Sequence, residues 1–182
     1  MSLIKKLIRK YKDVSPLILS SQIRYNNRIR IKNEDLAQHS YYVAYNIMSI
    51  GYDFGIKKEI IQEAVCRAII HDLDEQFTSD IPHDCKIEFP ELRKMVSEIG
   101  LDYIKKRADF ATQYFVDYST KSDLANILVD TGDALSVLQY ANREILLGNH
   151  TKEMKIIYID AKKRLNVLFK KLRDYKEDLW LL

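Results

Sequence analysis

The stretch Ile60-Ile61-Gln62-Glu63-Ala64-Val65-Cys66-Arg67-Ala68-Ile69-Ile70-His71-Asp72-Leu73-Asp74-Glu75 decides how this chain is read. Its first eleven residues form an apolar helical run without Gly or Pro. An imidazole and a carboxylate follow side by side, where the buried segment meets a polar one. Burying both is costly unless something neutralises and orients them. A divalent metal ion does both. Consecutive helical residues point about 100° apart, so His71 and Asp72 can share one ion only beyond or beside the helix end.

Outward from this stretch, five Gly and three Pro in 182 residues leave few helix breakers and predict an all-α fold. One helix is expected from Asp35 to about Tyr52, with Leu36, His39, Val43 and Ile47 on its inward stripe and Gly51 and Gly55 closing it. The next runs from about Lys57 to Leu73, followed by a long loop from Gln76 to Pro90. Residues 91 to 116 read as one or two helices, with Met95, Val96, Ile99, Tyr103 and Ile104 as the apolar face. Lys121 to about Leu147 is another, ended by Gly148-Asn149 in the manner of a left-handed cap. The last spans about Thr151 to Leu172, with Met154, Ile157, Tyr158, Ala161, Leu165 and Leu168 on one side. Arg24 to Glu34 is irregular or extended and is the most basic local stretch. The length and a 47% hydrophobic content fit one domain over residues 1–182, a compact multi-helix bundle.

Charge narrows the partners. Twenty-nine basic and 26 acidic residues are spread along the chain without a long run of one sign. This gives no footprint for a nucleic-acid polymer, while permitting a local basic pocket for a phosphate. No apolar run approaches the ~18 residues of a membrane span. The basic start lacks the features of a signal peptide; Leu3, Ile4, Leu7 and Ile8 fit one face of a short amphipathic helix, and Asp13-Val14-Ser15-Pro16 stops and restarts the helix. Cys66 and Cys85 form no disulfide framework. Reduced thiols and a cytoplasmic location are the expectation.

One metal needs more than two protein ligands, and His39 and Asp133 are the inward candidates elsewhere. Asp133 lies between the apolar runs 127–129 and 135–138, next to Gly132, which would let the backbone approach a crowded site. Two imidazoles and two carboxylates suit Mn, Co, Ni, Zn or Fe(II) better than Ca. Each residue also has a plainer role open to it. His39 fits a hydrogen-bonded core histidine, Asp133 an N-cap after Gly132, and Asp74 with Glu75 a solvated face.

The order His, His-Asp, Asp across helices resembles the HD-domain metal-dependent phosphohydrolases. The surrounding blocks are similar to the bacterial 5′-deoxynucleotidase branch: Arg24-Tyr25, Gln38-His39-Ser40, His71-Asp72-Leu73-Asp74-Glu75, Thr78-Ser79-Asp80-Ile81-Pro82 and Gly132-Asp133-Ala134-Leu135, with Leu147-Gly148-Asn149 downstream. That branch reads approximately Arg-Trp, Glu-His-Ser, His-Asp-x-x-Glu, Thr-Gly-Asp-x-Pro and Ala-Asp-Ala-Leu. The resemblance implies hydrolysis of deoxyribonucleoside 5′-monophosphates by a homodimer acting on a small-molecule substrate. His39, His71, Asp72 and Asp133 would hold one divalent transition metal ion. Glu75 would handle protons on a metal-activated water and Asp80 would assist at the substrate side. Arg24 would grip the phosphate through paired donors, with Tyr25 packing against the sugar.

Several positions depart from the branch pattern. Gln38 stands for the acidic residue before the first histidine, Tyr25 for Trp, Ser79 for Gly, and Asp130 for a position that tends to carry Lys. The segment between Asp84 and Lys121 is shorter. These changes bear on the substrate more than on the metal. An HD hydrolase of another phosphate ester (an alarmone, a nucleoside triphosphate or a cyclic nucleotide) is the enzyme alternative. A helical binding domain retaining a structural ion is the other, against which Glu75 and Asp80 argue. His83 and Cys85 form too sparse a pair for a second metal, and Tyr41, Tyr42 and Tyr45 read as packing or subunit contacts.

Overall fold

Periodic segments bounded by capping residues become the main helices of the computed structural model, which describes residues 2–5, 15–79, 81, 83–114 and 123–175. In chain order these are α1 (Pro16–Leu19), α2 (Leu36–Asp53), α3 (Lys58–Ile70), α4 (Glu75–Thr78), α5 (His83–Glu88), α6 (Pro90–Arg107), a 3-10 turn (Asp109–Tyr114), α7 (Leu124–Leu146) and α8 (Lys152–Asp174). Among the described residues β structure amounts to one isolated bridge, Ile23 to Asp35, which closes the base of the irregular 24–34 segment. Asp35 then caps α2 by accepting from the Gln38 backbone N–H at 2.8 Å. Asp123 does the same for α7 through Asn126. Arg67 of α3 donates to both Asp123 oxygens, at 2.9 and 3.0 Å, and so ties that cap to a second helix.

α2, α3, α7 and α8 enclose the main core, in which Val43, Ile47, Ala64, Ala68, Leu128, Ala134, Leu165 and Leu172 are buried together. A second cluster joins Leu19 and Leu36 to Ile70, Leu73 and Ile104, bringing α6 under the end of α3. α2 and α7 approach each other closely at Gly132. A Cβ there would lie 2.8 Å from Ile47 Cγ1 and 2.9 Å from the Val43 carbonyl oxygen. The glycine therefore admits a neighbouring helix rather than the site itself, and by doing so brings Asp133 alongside the residues one turn before Val43. His39 is among them.

Some expected elements are revised. The segment from Gln76 to Pro90 contains the short helices α4 and α5 rather than a loop. α3 stops at Ile70, so His71, Asp72, Leu73 and Asp74 form a turn. On α6 only Gly100 and Ile104 are buried, while Met95 is 57% exposed. The helix meets Asp74 through Gly100, whose added Cβ would overlap the Asp74 side chain; Ile104 is buried, whereas Met95 and Ile99 stay exposed. Gly51 lies within α2 against Ile61, and Gly55, with φ +64°, follows the helix end. Leu3 and Ile4 are exposed, while Leu7 and Ile8 lie outside the described residues. Lys121 is also outside them.

Candidate metal centre

The turn after α3 places His71 and Asp72 at the helix end. His71 Nδ1 lies 2.7 Å from the Ala68 carbonyl oxygen. A carbonyl only accepts, so Nδ1 carries a proton, and a neutral ring so bonded has its lone pair on Nε2. That Nε2 is buried without a hydrogen-bond partner and faces Asp72 Oδ2 at 3.2 Å. In that form a lone pair and a carboxylate oxygen face each other as two acceptors, and a cation between them would satisfy both.

His39, fully buried on α2, meets the same point from the opposite side. Its Nε2 lies 3.6 Å from Asp72 Oδ2 and 3.3 Å from Asp133 Oδ1, again without a hydrogen-bond partner. Ligand atoms of His39, His71 and Asp72 lie within 4.8 Å of one another. Burial, aided by the Arg24 charge, pushes the His39 imidazole down to about 4, so it is neutral near pH 7, as a ligand must be. Asp72 is held below the usual carboxylate range: burial opposes ionisation, but His71, His39 and Arg24 outweigh it. Asp133 is held well below that range against the same burial, by His39 and Arg164. It lies inside α7, which rules out the N-cap role. Two imidazoles and two carboxylates fit a divalent transition metal.

The far side of His39 accommodates either tautomer. Nδ1 is met by Arg24 Nη1 and by Ser136 Oγ, the latter at 3.2 Å, with Glu34 Oε1 at 3.7 Å. A guanidinium only donates, so contact with Arg24 belongs to the ring protonated on Nε2. When Nδ1–H donates to Ser136, the Nε2 lone pair turns to the cluster. That second tautomer is the one that ligates a metal.

Above this floor opens a cavity of about 630 Å³, within the usual range for small-molecule sites. Arg24, Tyr25, His71, Asp72, Glu75 and Asp133 line it, together with Lys86, Arg164 and the apolar Ile81, Val137, Ile156 and Ile157. Glu75 opens α4 and is buried with Asp74, so neither belongs to a solvated face. Lys86 Nζ reaches Glu75 Oε1 at 3.2 Å. Arg24 Nη1 donates to the buried Glu34 at 3.1 Å; the surrounding Tyr25, Asp72, Asp133 and Glu34 outweigh burial and keep the guanidinium charged. Tyr25, at φ +55°, stacks on Tyr140 with centroids 4.5 Å apart. Asp80 lies outside the described residues, as does the side chain of His83.

Thus six sequence-derived candidates, Arg24, Tyr25, His71, Asp72, Glu75 and Asp133, line one cleft, with His39 beneath it. Four polar partners were missed: Glu34, Ser136, Lys86 and Arg164. Ser136 was accessible to helical spacing, three residues after Asp133. Glu34 sits in irregular chain, where no periodicity marks an inward side chain. Tyr41 and Tyr45 are exposed, and the Tyr41 ring meets Tyr42 edge-on with centroids 6.1 Å apart.

Residues 18–176 match the family model described as 5′-deoxynucleotidase YfbR-like. No curated protein matches the chain. Solved structures with a similar fold include an HD-domain phosphohydrolase from Listeria innocua, with TM-score 0.67, 23% identity, and coverage of 97% of this chain and 82% of that one. A Pyrococcus horikoshii protein has TM-score 0.71 and 22% identity, covering 92% of this chain and 96% of its own. The HD phosphohydrolase of cyanophage S-2L, bound to dA and one catalytic Zn2+ ion, has TM-score 0.61 and 18% identity over 92% and 85% of the two chains. With the family model spanning nearly the whole helical bundle and its cleft, the chain belongs to the YfbR-like 5′-deoxynucleotidase family.

Proposed function

We propose that this chain hydrolyses deoxyribonucleoside 5′-monophosphates to nucleoside and phosphate, with His39, His71, Asp72 and Asp133 as the ligands of one divalent transition metal ion. The observation that carries this reading is the pair of partnerless imidazole nitrogens facing two carboxylates beneath the cleft. Bound there, such an ion supplies a water of lowered pKa and a Lewis acid for a phosphoryl oxygen. Glu75, three residues beyond Asp72 and at the same opening, takes the proton from the attacking water. Lys86 keeps the Glu75 carboxylate oriented at 3.2 Å. Arg24 offers its fork to the phosphate, and its bond to Glu34 holds that fork near the floor. Tyr25, braced by Tyr140, borders the sugar. Asp80 assists on the substrate side.

Membership in the 5′-deoxynucleotidase family supports the monophosphate ester, and the dA held by the cyanophage structure supports a nucleoside-sized ligand. The exposed tyrosines on α2 support a homodimer. No helix among the described residues is long and apolar enough to cross a membrane, which fits the proposed cytoplasmic location. Metal analysis and phosphate release, across ribo- and deoxyribonucleoside mono- and triphosphates, test the reading. The wild type should carry or take up a divalent ion and prefer deoxyribonucleoside monophosphates. Asp72→Ala should lose ion and activity together, while Glu75→Gln should keep the ion and lose at least about 100-fold in kcat. Wild-type protein that releases no phosphate with any divalent ion would sink the proposal.

A further inference from the structure

Arg164 stands on α8 opposite the stretch of α7 that carries Asp130 and Asp133. Its Nη1 donates to Asp133 Oδ2 at 2.8 Å and its Nη2 to Asp130 Oδ1 at 3.1 Å. The two acids are three residues apart and so share one helix face, where a planar fork can span both. The other oxygen of Asp133, Oδ1, is the one that lies 3.3 Å from His39 Nε2. The carboxylate is divided between two duties. One oxygen belongs to the guanidinium and the other faces the metal-ligating cluster.

The last torsion of an aspartate is soft and roughly two-fold, so an unheld carboxylate turns readily, offers both oxygens to an ion or swings to solvent. We propose that Arg164, itself anchored by Asp130, is a positioning residue that holds Asp133 Oδ2 and so leaves a single oxygen, Oδ1, for the ion. This inference rests on the proposed metal site. Asp130 acquires a purpose here: a lysine in its place would face Arg164 with like charge, whereas the aspartate fixes the guanidinium between two acids. The arrangement bridges two helices, so the ligand geometry depends on α8 although none of the proposed ligands lies on it.

Arg164 also lines the cleft, and direct contact with substrate phosphate is the rival role. Co2+ titration of the purified protein separates the two, read by the visible absorption of the bound ion, alongside kcat and KM for the best-cleaved monophosphate. Arg164→Met should weaken Co2+ binding by about 10- to 100-fold, the usual effect of removing a partner of a metal ligand, and change the absorption spectrum. Arg164→Lys should recover part of the affinity. Asp130→Asn should weaken binding by a smaller factor and add nothing in the Arg164→Met background. If Arg164→Met does not fold, as read by circular dichroism, the Lys and Asn variants carry the same comparison. Unchanged Co2+ affinity and spectrum with a raised KM would overturn the positioning role and make Arg164 a substrate contact. A wild type that binds no Co2+ would instead overturn the metal reading on which the inference stands.

Discussion

Glu34 shows how much of the site depends on a residue that is neither a proposed ligand nor a wall of the cleft. It is 2% exposed, and burial pushes its carboxyl above the ordinary value even though Arg24 acts in the opposite direction. What holds it there is the 3.1 Å bond from Arg24, whose guanidinium also meets His39. Removing one member of a buried pair leaves the other charge uncompensated, which costs about 3 kcal/mol or more. Glu34→Ala should therefore lower stability by roughly that amount in urea unfolding, with Arg24 partly spared because it borders the cleft. The Glu34→Ala/Arg24→Met double variant should be less destabilised than the sum of the two single variants. Additive losses would show that Arg24 and Glu34 are not energetically linked. Gln38 looked in sequence like the loss of an acid beside His39; Glu34, four residues earlier, places a carboxylate 3.7 Å from the same ring. Its inward position comes from the path of an irregular segment, which leaves no periodic trace.

At the scale of elements, legibility follows the strength of the local code. α2, α7 and α8 were readable because apolar stripes of 3.6-residue period coincide with side-chain caps at Asp35, Asp123 and Thr151. α4 and α5 were not, since four- and six-residue helices are too short to show a period. The joint between α7 and α8 depends on Glu144, which is fully buried at the end of α7. It accepts from the Ile31 and Lys32 backbone N–H groups at 2.7 and 2.8 Å and from Asn149 Nδ2 at 2.9 Å. These bonds tie the irregular segment to the α7–α8 turn, where Gly148 takes φ +104°. Burial alone would raise the Glu144 carboxyl, but Asn149 and the two backbone donors outweigh it and lower it below 4.5. The sign follows: a group bound more tightly when ionised stabilises the fold above its unfolded value, and that support fades as pH falls through the folded value. Glu144→Gln, which loses charge and one acceptor, should cost about 1–3 kcal/mol near neutrality. The gap in Tm between wild type and variant should narrow below about pH 4.5; a gap constant from pH 7 to pH 3 would refute the role of the charge.

Across the whole molecule, the proposed ligands come from α2, the turn after α3, and α7, so the metal site exists only when the core between those helices is assembled. The order of the proposed ligands is visible in the sequence, and so is the location of His71-Asp72 at a helix end. What linear reading could not supply was convergence: the crossing at Gly132 that sets Asp133 beside His39, and the α8 arginine that meets Asp133 from a further helix. Because the ligands are far apart in the unfolded chain, an ion binds the native state strongly and the unfolded state weakly. Binding therefore adds to stability as RT ln(1 + [L]/Kd), about 2.7 kcal/mol at a hundredfold excess over Kd. For a chain of this size that corresponds to a rise in Tm of roughly 5–10 °C. Differential scanning calorimetry with Mn2+, Co2+, Ni2+ and Zn2+ should show the rise with at least one ion, increasing with the logarithm of its concentration. Asp72→Ala should melt at a temperature that no longer responds to that ion. Equal upshifts in wild type and Asp72→Ala would place the bound ion elsewhere on the molecule.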